Sequence, residues 1–301
     1  TALGPGDDCA LLAPSAGMEL AVTTDMLVAG THFFADTDPY QLGWKTLAVN
    51  LSDLAAMGAQ PRWVLLAGAL PNADEAWVAA FARGLFACAE RYSVDVVGGD
   101  TTRGPLNLCL TALGEVPNGQ ALRRDGALAG DDLWLSGYPG LAALSLAEQR
   151  GLIELDAPLA QRCRLALQQP IPRVELGLML RRHHLAHAAI DISDGLLADL
   201  DHLLERSALA ARLYLAQLPA LPAAVDPARA RQCQLAGGDD YELLFTAAPE
   251  QRAAINALAE QLQLPLWRCG ELHNSLPSRC TVVDVNGQDV PINYRGFDHF
   301  G

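Results

Sequence analysis

The sequence has almost no lysine, is short of positive charge overall, and contains no long apolar run. Lys45 is the single lysine among 21 basic residues. The chain has 35 acidic residues, so the formal net charge is −14. A chain this acidic, without a basic stripe, is a poor partner for nucleic acid. The absence of an apolar run of about 18 residues excludes a membrane-spanning helix.

Paired cysteines are also missing. The seven cysteines are odd in number and none has C-x-x-C spacing, which excludes a disulfide framework and a cysteine-based zinc site. Cysteines used as small apolar residues are typical of a reducing compartment, so we expect a cytoplasmic protein. No signal peptide opens the sequence, and its start at Thr1 leads us to expect a short leading segment in the full-length protein.

The sequence lacks the motifs of several common enzyme classes. It contains no G-x-x-x-x-G-K-[ST] segment, which excludes a P-loop NTPase, and neither H-R-D nor D-F-G, which excludes a protein kinase. It has no G-x-S-x-G nucleophile turn and no Cys–His–Asn arrangement. Covalent catalysis by a side-chain nucleophile is therefore not expected.

Alternating apolar strands and amphipathic helices predict an α/β fold of two domains. A turn-rich stretch over residues 116–132 marks the boundary, so we expect an N-terminal domain at 1–117 and a C-terminal domain at 118–301. In the first domain, strands are predicted at 9–14, 20–27, 62–70, 95–100 and 106–116, with helices at 42–59 and 73–92. In the second, strands are predicted at 132–137, 189–193 and after the glycines of 237–238, with helices at 140–150, 158–188 and 195–209.

Six acidic motifs stand at the ends of these elements, each with Asp beside Gly, Ser or Thr. A single motif of this kind more often caps a helix or forms a turn. Six of them predict a site that needs cations, and oxygen ligands without metal-spaced His or Cys favour Mg²⁺. The motifs are GPGDDCALL (4–12), TTDM (23–26), NLSDL (50–54), GGDTT (98–102), DISDG (191–195) and GGDDYEL (237–243).

Residues 95–104, DVVGGDTTRG, combine a glycine pair with an aspartate where phosphate loops usually place lysine. The glycines let backbone N–H groups approach phosphate oxygens, and Asp100 can hold a metal that bridges to the same phosphates. Metal-dependent phosphoryl chemistry is the function that these residue types favour.

Taken in order, these motifs together with KTLAVNLSDLAAMGAQPRW and the terminal YRGFDHF resemble the thiamine-monophosphate kinase family, from about residue 4 to the C-terminus. The resemblance implies the two-domain fold of aminoimidazole-ribonucleotide-synthetase-like enzymes, with N-terminal sheets pairing in a homodimer. It implies transfer of the ATP γ-phosphoryl group to thiamine monophosphate, with several Mg²⁺ ions.

The resemblance also implies roles for single residues. No general base is expected, because the metals and Arg124 would stabilise the transition state. In place of the family's usual Glu and Trp, this chain has Asp239 and Tyr294. The implied metal ligands are Asp8, Thr23, Thr24, Asp25, Asp53, Asp100, Asp191 and Asp194; the ATP contacts are Gly99, Asp100, Arg124 and Ser193; the substrate contacts are His32, Asp239 and Tyr294.

Two alternatives remain open. One is an ATP-dependent synthetase of the same superfamily, although the chain has no reactive Cys ahead of its first glycine-rich motif. The other is a non-catalytic, metal-dependent nucleotide-binding protein, against which the intact acidic motifs argue. Lys45 lies eight residues before Asp53 on a predicted helix, and we expect it to face the acidic cluster.

Overall fold

The computed structural model describes residues 4, 6, 8–275, 279–291 and 296. The chain divides into two compact units. Unit 1 comprises Thr1–Ala121 and Gln168–Val174, and unit 2 comprises Leu122–Leu167 and Glu175–Gly301. Within the described residues, no helix combines the length and the apolar character that crossing a membrane would require.

Unit 1 is a four-stranded sheet with two long helices. The sheet order is β1-β4-β2-β3, with β2 and β3 parallel and the other neighbours antiparallel. The strands are β1 (Met18–Val28), β2 (Gln60–Leu70), β3 (Asp95–Arg103) and β4 (Asn107–Pro117), and the helices are α1 (Pro39–Ala56) and α2 (Glu75–Tyr92).

Sequence signals at the helix ends explain where α1 and α2 form. Asp38 caps α1 by accepting a hydrogen bond from the Gln41 N–H, and Asp74 caps α2 in the same way. The two helices pack closely because glycine stands where they cross. A Cβ at Gly84 would lie 1.8 Å from the Tyr40 carbonyl oxygen, and one at Gly43 would lie 2.0 Å from the Phe81 carbonyl oxygen.

Unit 2 is a six-stranded mixed sheet of order β10-β7-β9-β5-β8-β6. Its core is built largely from leucines of the strands and of α6, among them Leu135, Leu200 and Leu244. The strands are β5 (Asp132–Ser136), β6 (Ala188–Asp191), β7 (Ala210–Tyr214), β8 (Leu243–Ala247), β9 (Leu266–His273) and β10 (Cys280–Val283). The helices are α3 (Leu141–Gln149), α4 (Ala157–Gln168), α5 (Val174–Arg182), α6 (Leu196–Ser207), α7 (Pro227–Ala236) and α8 (Arg252–Leu262).

Two predicted elements are wrong. Residues 9–14 form no strand, and Leu11 is largely exposed. The long helical region expected over 158–188 is not continuous, because α4 ends at Gln168 and α5 begins only at Val174. Pro170 and Pro172 lie between them, and proline can neither donate to a continuing helix nor leave its predecessor helical.

Candidate functional site

In unit 1, β1 and α1 bring two carboxylates together. Thr23 and Asp25 share one side of β1, and the Thr23 hydroxyl donates a hydrogen bond to Asp53 on α1. The Asp25 N–H donates to the Asn50 side-chain oxygen at 3.2 Å, which ties the same strand to the same helix. Burial, and after it the charge of Asp53, raise the pKa of Asp25 to about 7. Such a pair favours a bound cation.

Two other implied metal ligands of unit 1, Thr24 and Asp100, lie away from this pair. Thr24 lies on the opposite face of β1, where its hydroxyl is 2.8 Å from the Thr111 hydroxyl of β4. Asp100 lies on β3, which β4 and β2 separate from β1. Over the part of the chain that the structure describes, no three His, Cys, Asp or Glu side chains form a group that could hold a metal ion.

A cavity of about 940 Å³ opens in unit 1 between β3 and α2. Its walls are mainly apolar, and they include the stacked rings of Trp77 and Phe81, whose centroids lie 5.3 Å apart. The GGDTT segment, including Gly99 and Asp100, lines the same cavity. The two glycine-motif residues implied in ATP binding therefore border an apolar space large enough for a small ligand.

Gly99 is required at its position by geometry. Its φ of +152° lies in a region that side chains rarely adopt, and a Cβ there would lie 1.9 Å from the Leu66 carbonyl oxygen of β2. The preceding Gly98 is less restricted, since its Cβ would meet only a Leu65 side-chain carbon at 3.9 Å. The close approach of β3 to β2 therefore requires glycine at position 99.

In unit 2, two loops join through backbone hydrogen bonds. One follows β6 and carries Ser193 and Asp194; the other leads into β8 and carries Asp239. The Asp239 N–H donates to the Ser193 carbonyl oxygen at 2.8 Å, and the Tyr241 N–H donates to the Ile192 carbonyl oxygen at 2.8 Å. A residue implied in ATP binding, one implied in metal binding and one implied in substrate binding are therefore brought together.

A buried carboxylate supports the first of these loops from within. Asp199, on the first turn of α6, accepts hydrogen bonds at 3.1 Å from three successive N–H groups, those of Ser193, Asp194 and Gly195. Burial and the neighbouring Asp194 raise the pKa of Asp199 to about 6, against the effect of these three bonds. The backbone of the DISDG motif is fixed by this single side chain.

A second carboxylate, half-buried, supports the other loop. Asp240 accepts a hydrogen bond at 2.7 Å from the Gly140 N–H, at the beginning of α3. Burial raises the pKa of Asp240 well above its usual range, and the nearby Glu242 and Asp239 carboxylates raise it further. The Ser136 hydroxyl in turn donates to Glu242 at 2.5 Å.

Comparison with known proteins identifies the family of this chain. The model of the AIR synthase related protein N-terminal domain matches residues 6–116, and that of the C-terminal domain matches residues 129–281. The thiamine-monophosphate kinase of Escherichia coli K12 is 44% identical over 302 residues, which cover 99% of this chain and 92% of that protein. This chain belongs to the thiamine-monophosphate kinase family.

Solved structures of the family have the same fold. Thiamine-monophosphate kinase from Stenotrophomonas maltophilia K279a superposes with a TM-score of 0.88 at 49% identity, covering 96% of this chain and 92% of that one. A structure described as AaThiL complexed with AMPPCP and TMP superposes with a TM-score of 0.81 at 28% identity, covering 98% and 91%. The predicted α/β fold of two AIR-synthase-type domains is confirmed.

The remaining family positions lie in different settings. His32 follows β1, and its Nδ1 accepts a hydrogen bond at 3.0 Å from the Val28 N–H, so a neutral ring carries its proton on Nε2. Arg124 is exposed, and its carbonyl oxygen accepts from the Ser207 hydroxyl at 2.6 Å. Asp8 lies in an exposed bend, and Tyr294 lies outside the described residues.

The sequence motifs did not reveal the part played by Asp199 and Asp240. Both stand within or beside thiamine-monophosphate kinase motifs, in DISDGLLADL and GGDDYEL. The available signal was spacing, since Asp199 comes four residues after Gly195 and therefore one helical turn into α6. The partner of Asp240 is a hundred residues away, and no local pattern indicates it.

Proposed function

We propose that this chain transfers the γ-phosphoryl group of ATP to thiamine monophosphate, giving thiamine diphosphate and ADP. One observation carries the proposal: the GGDTT segment, with Gly99 bare of a side chain, borders a large apolar cavity in a chain of this family. An apolar space beside phosphate-binding backbone suits a nucleotide. The complex of the AaThiL relative with AMPPCP and TMP supports the same pair of ligands.

The nucleotide would place its base against the apolar wall and its phosphates toward the glycine motif. Trp77 and Phe81 offer flat ring surfaces for the base, and Gly99 and Asp100 lie on the phosphate side. We also assign Arg124 and Ser193 to ATP through the family motifs. Arg124 is exposed and can approach an anion, since its guanidinium offers five donors.

Magnesium is the metal that the donor set fits. The Asp25–Asp53 pair is crowded enough to raise the pKa of Asp25, and Mg²⁺ commonly binds through one or two carboxylates and completes its shell with water and phosphate oxygens. When bound, Mg²⁺ would offset the repulsion between the phosphates. Through the family motifs we assign several Mg²⁺ ions to the carboxylates Asp8, Asp25, Asp53, Asp100, Asp191 and Asp194, and to Thr23 and Thr24.

The acceptor needs no general base. The second pKa of a phosphomonoester lies near ~6, so thiamine monophosphate is mostly a dianion at neutral pH and already nucleophilic. We therefore propose direct in-line transfer without a phosphoenzyme. The side chains would bind and align the two phosphates, which is where most catalysis of phosphoryl transfer arises. His32, Asp239 and Tyr294 would hold thiamine monophosphate.

We also propose a homodimer that forms through the sheet of unit 1. The side chains of Met18, Leu20, Val22 and Met26 all lie on one face of β1 and are 38–61% exposed. Leu65 of β2 adds to the apolar surface of this sheet. A contiguous apolar sheet surface of this kind suits a second copy of the same chain. We also propose that the protein acts in the cytoplasm, which its free cysteines support.

Chromatographic assay of the products tests the function. With ATP and Mg²⁺, we expect thiamine diphosphate and ADP to appear in equal amounts from thiamine monophosphate. We expect no ADP release with a ribonucleotide precursor of aminoimidazole, the substrate type of the synthetase alternative. ADP release with the ribonucleotide but not with thiamine monophosphate would contradict the proposal, and so would release of ADP without thiamine diphosphate.

A further inference from the structure

The loop that carries Asp239 has an unfavourable backbone conformation. Asp239 and Tyr241 have φ values of +67° and +51°, in the left-handed region that non-glycine residues usually avoid. Each such residue destabilises the folded chain unless its surroundings compensate. Two of them around one residue, Asp240, persist only where surrounding contacts hold the loop in place.

Backbone bonds supply one part of that support. The N–H groups of Asp239 and Tyr241 donate to the carbonyl oxygens of Ser193 and Ile192, both at 2.8 Å. The close approach of the two loops requires Gly238, where a Cβ would lie 2.5 Å from the Ser193 carbonyl oxygen. These contacts hold one edge of the loop, and the opposite edge needs support from other groups.

The side chain of Asp240 supports the opposite edge. It lies half-buried between the two strained residues in sequence, and its Oδ2 accepts from the Gly140 N–H at 2.7 Å. This donor stands at the start of α3, where unpaired N–H groups and the positive end of the helix dipole attract an anion.

The N-cap residue of α3 provides no side-chain cap of its own. This residue is Gly140, which lacks a side chain. Its φ of +91° favours glycine, and a Cβ at this position would lie only 2.7 Å from the Gln234 Cα. Asp240 therefore caps a helix a hundred residues away in the chain. It does so although Glu242 and Asp239 raise its pKa and so oppose its charge.

The position of Asp239 depends on this cap. Its carboxylate accepts a hydrogen bond at 3.1 Å from the Tyr241 hydroxyl, so the two strained residues also orient one another. We propose that Asp240 is a positioning residue for thiamine monophosphate. It acts by attaching the backbone of residues 239–241 to the N-terminus of α3. The inference rests on the proposed function, in which Asp239 contacts that substrate.

Steady-state kinetics of Asp240→Asn and Asp240→Ala test the inference. An amide has one acceptor oxygen instead of two and no charge, so the loop loosens while the packing volume is kept. We expect the KM for thiamine monophosphate to rise about tenfold in Asp240→Asn and further in Asp240→Ala, with the KM for ATP changed by less than about twofold.

Asp156→Ala is the matched control. Asp156 caps α4 in the same unit by accepting from the Leu159 N–H at 2.9 Å, so its loss also removes a helix cap, worth about 1 kcal/mol. The control should lower the melting temperature but leave both KM values unchanged. A similar rise in KM in this control would overturn the inference, as would Asp240 variants in which both KM values are unchanged or rise together.

Hydrogen exchange of the wild-type protein gives an answer even if the Asp240 variants do not fold. We expect the amides of Asp239 and Tyr241, and that of Gly140, to be protected before substrate is added. Amides that gain protection only with thiamine monophosphate would contradict a pre-positioned loop. A wild-type protein that makes no thiamine diphosphate would instead overturn the proposed function, and the inference with it.

Discussion

The carboxylates of Asp25 and Asp53 lie close together in the folded chain, although their like charges do not favour its stability. Their elements, β1 and α1, are joined by the bonds from Thr23 to Asp53 and from Asp25 to Asn50. Burial raises the pKa of Asp25 to about 7, so above that pH the folded protein holds a charge that the unfolded chain would hydrate better. Binding of a cation would offset this cost.

Replacing Asp25 by Asn should separate stability from activity. We expect Asp25→Asn to lower kcat/KM by about 100-fold or more, since a metal ligand is lost. In metal-free buffer its melting temperature should be equal to or above that of the wild type, because repulsion with Asp53 is relieved. Asp38→Asn, at the exposed cap of α1, is the control and should leave activity unchanged. An Asp25→Asn protein with wild-type activity would contradict the metal assignment.

Lys45 is the only lysine and is buried, with 3% of its surface exposed. An interior site of this kind suits a compact ammonium more than the longer, planar guanidinium. We expect Lys45→Arg to lower the melting temperature by several degrees through overpacking of α1, and kcat/KM by about tenfold. Arg83→Lys, on the exposed surface of α2, should change neither. Unchanged stability and activity in Lys45→Arg would show that this position does not require lysine.

Most helices and strands follow from local patterns, and the exceptions have identifiable causes. The periodicities of β1, β2, α1 and α2 are long and regular, and each predicted element of this set is confirmed. The break between α4 and α5 was missed because apolar periodicity on both sides outweighed Pro170 and Pro172. Strands β9 and β10 have no comparably regular pattern, and their pairing with β7 depends on partners distant in the chain.

The site was predictable only in part. Glycine and aspartate motifs at element ends indicated the loops, and the structure brings the loops of Ser193 and Asp239 together. The supporting residues Asp199 and Asp240 could not be found in this way, because their role depends on which backbone N–H groups meet them after folding. A carboxylate that binds a ligand and one that binds a helix terminus look alike in sequence.

The contact between β2 and β3 gives a paired test of the glycine motif. Gly99→Ala should abolish measurable ATP binding, because its Cβ would overlap the Leu66 carbonyl oxygen and displace β3. Gly98→Ala is the neighbouring control, and its Cβ would make an ordinary contact with Leu65. Calorimetric titration with ATP and Mg²⁺ compares the two. Equal affinities for ATP in both variants would show that the Gly99 backbone does not contribute to the nucleotide site.

The assembly of the whole molecule can be tested through the apolar face of β1. Light scattering should give about 64 kDa, twice the 32.1 kDa of one chain. Val22→Glu, at a side chain 61% exposed, should shift the population to single chains, because a charge cannot be buried there without a partner. Val285→Glu, at a valine 75% exposed in unit 2, should not. A wild-type mass of one chain at micromolar concentration would contradict the homodimer.

The pH dependence of the whole reaction follows from the acceptor. Activity should rise as thiamine monophosphate loses its second phosphate proton near pH ~6 and stay level above it, since no general base has to titrate. A rate that kept rising well above neutral pH would indicate that a side chain removes a proton.

Direct transfer of the labelled γ-phosphoryl group of ATP tests the central claim. The protein is incubated with γ-³²P-labelled ATP and Mg²⁺, with and without thiamine monophosphate, and the label is followed in the products and in the acid-precipitated protein. The account predicts that label enters thiamine diphosphate only when thiamine monophosphate is present and that none is retained by the protein. Labelled protein formed from ATP alone, or label released only as inorganic phosphate, would contradict it.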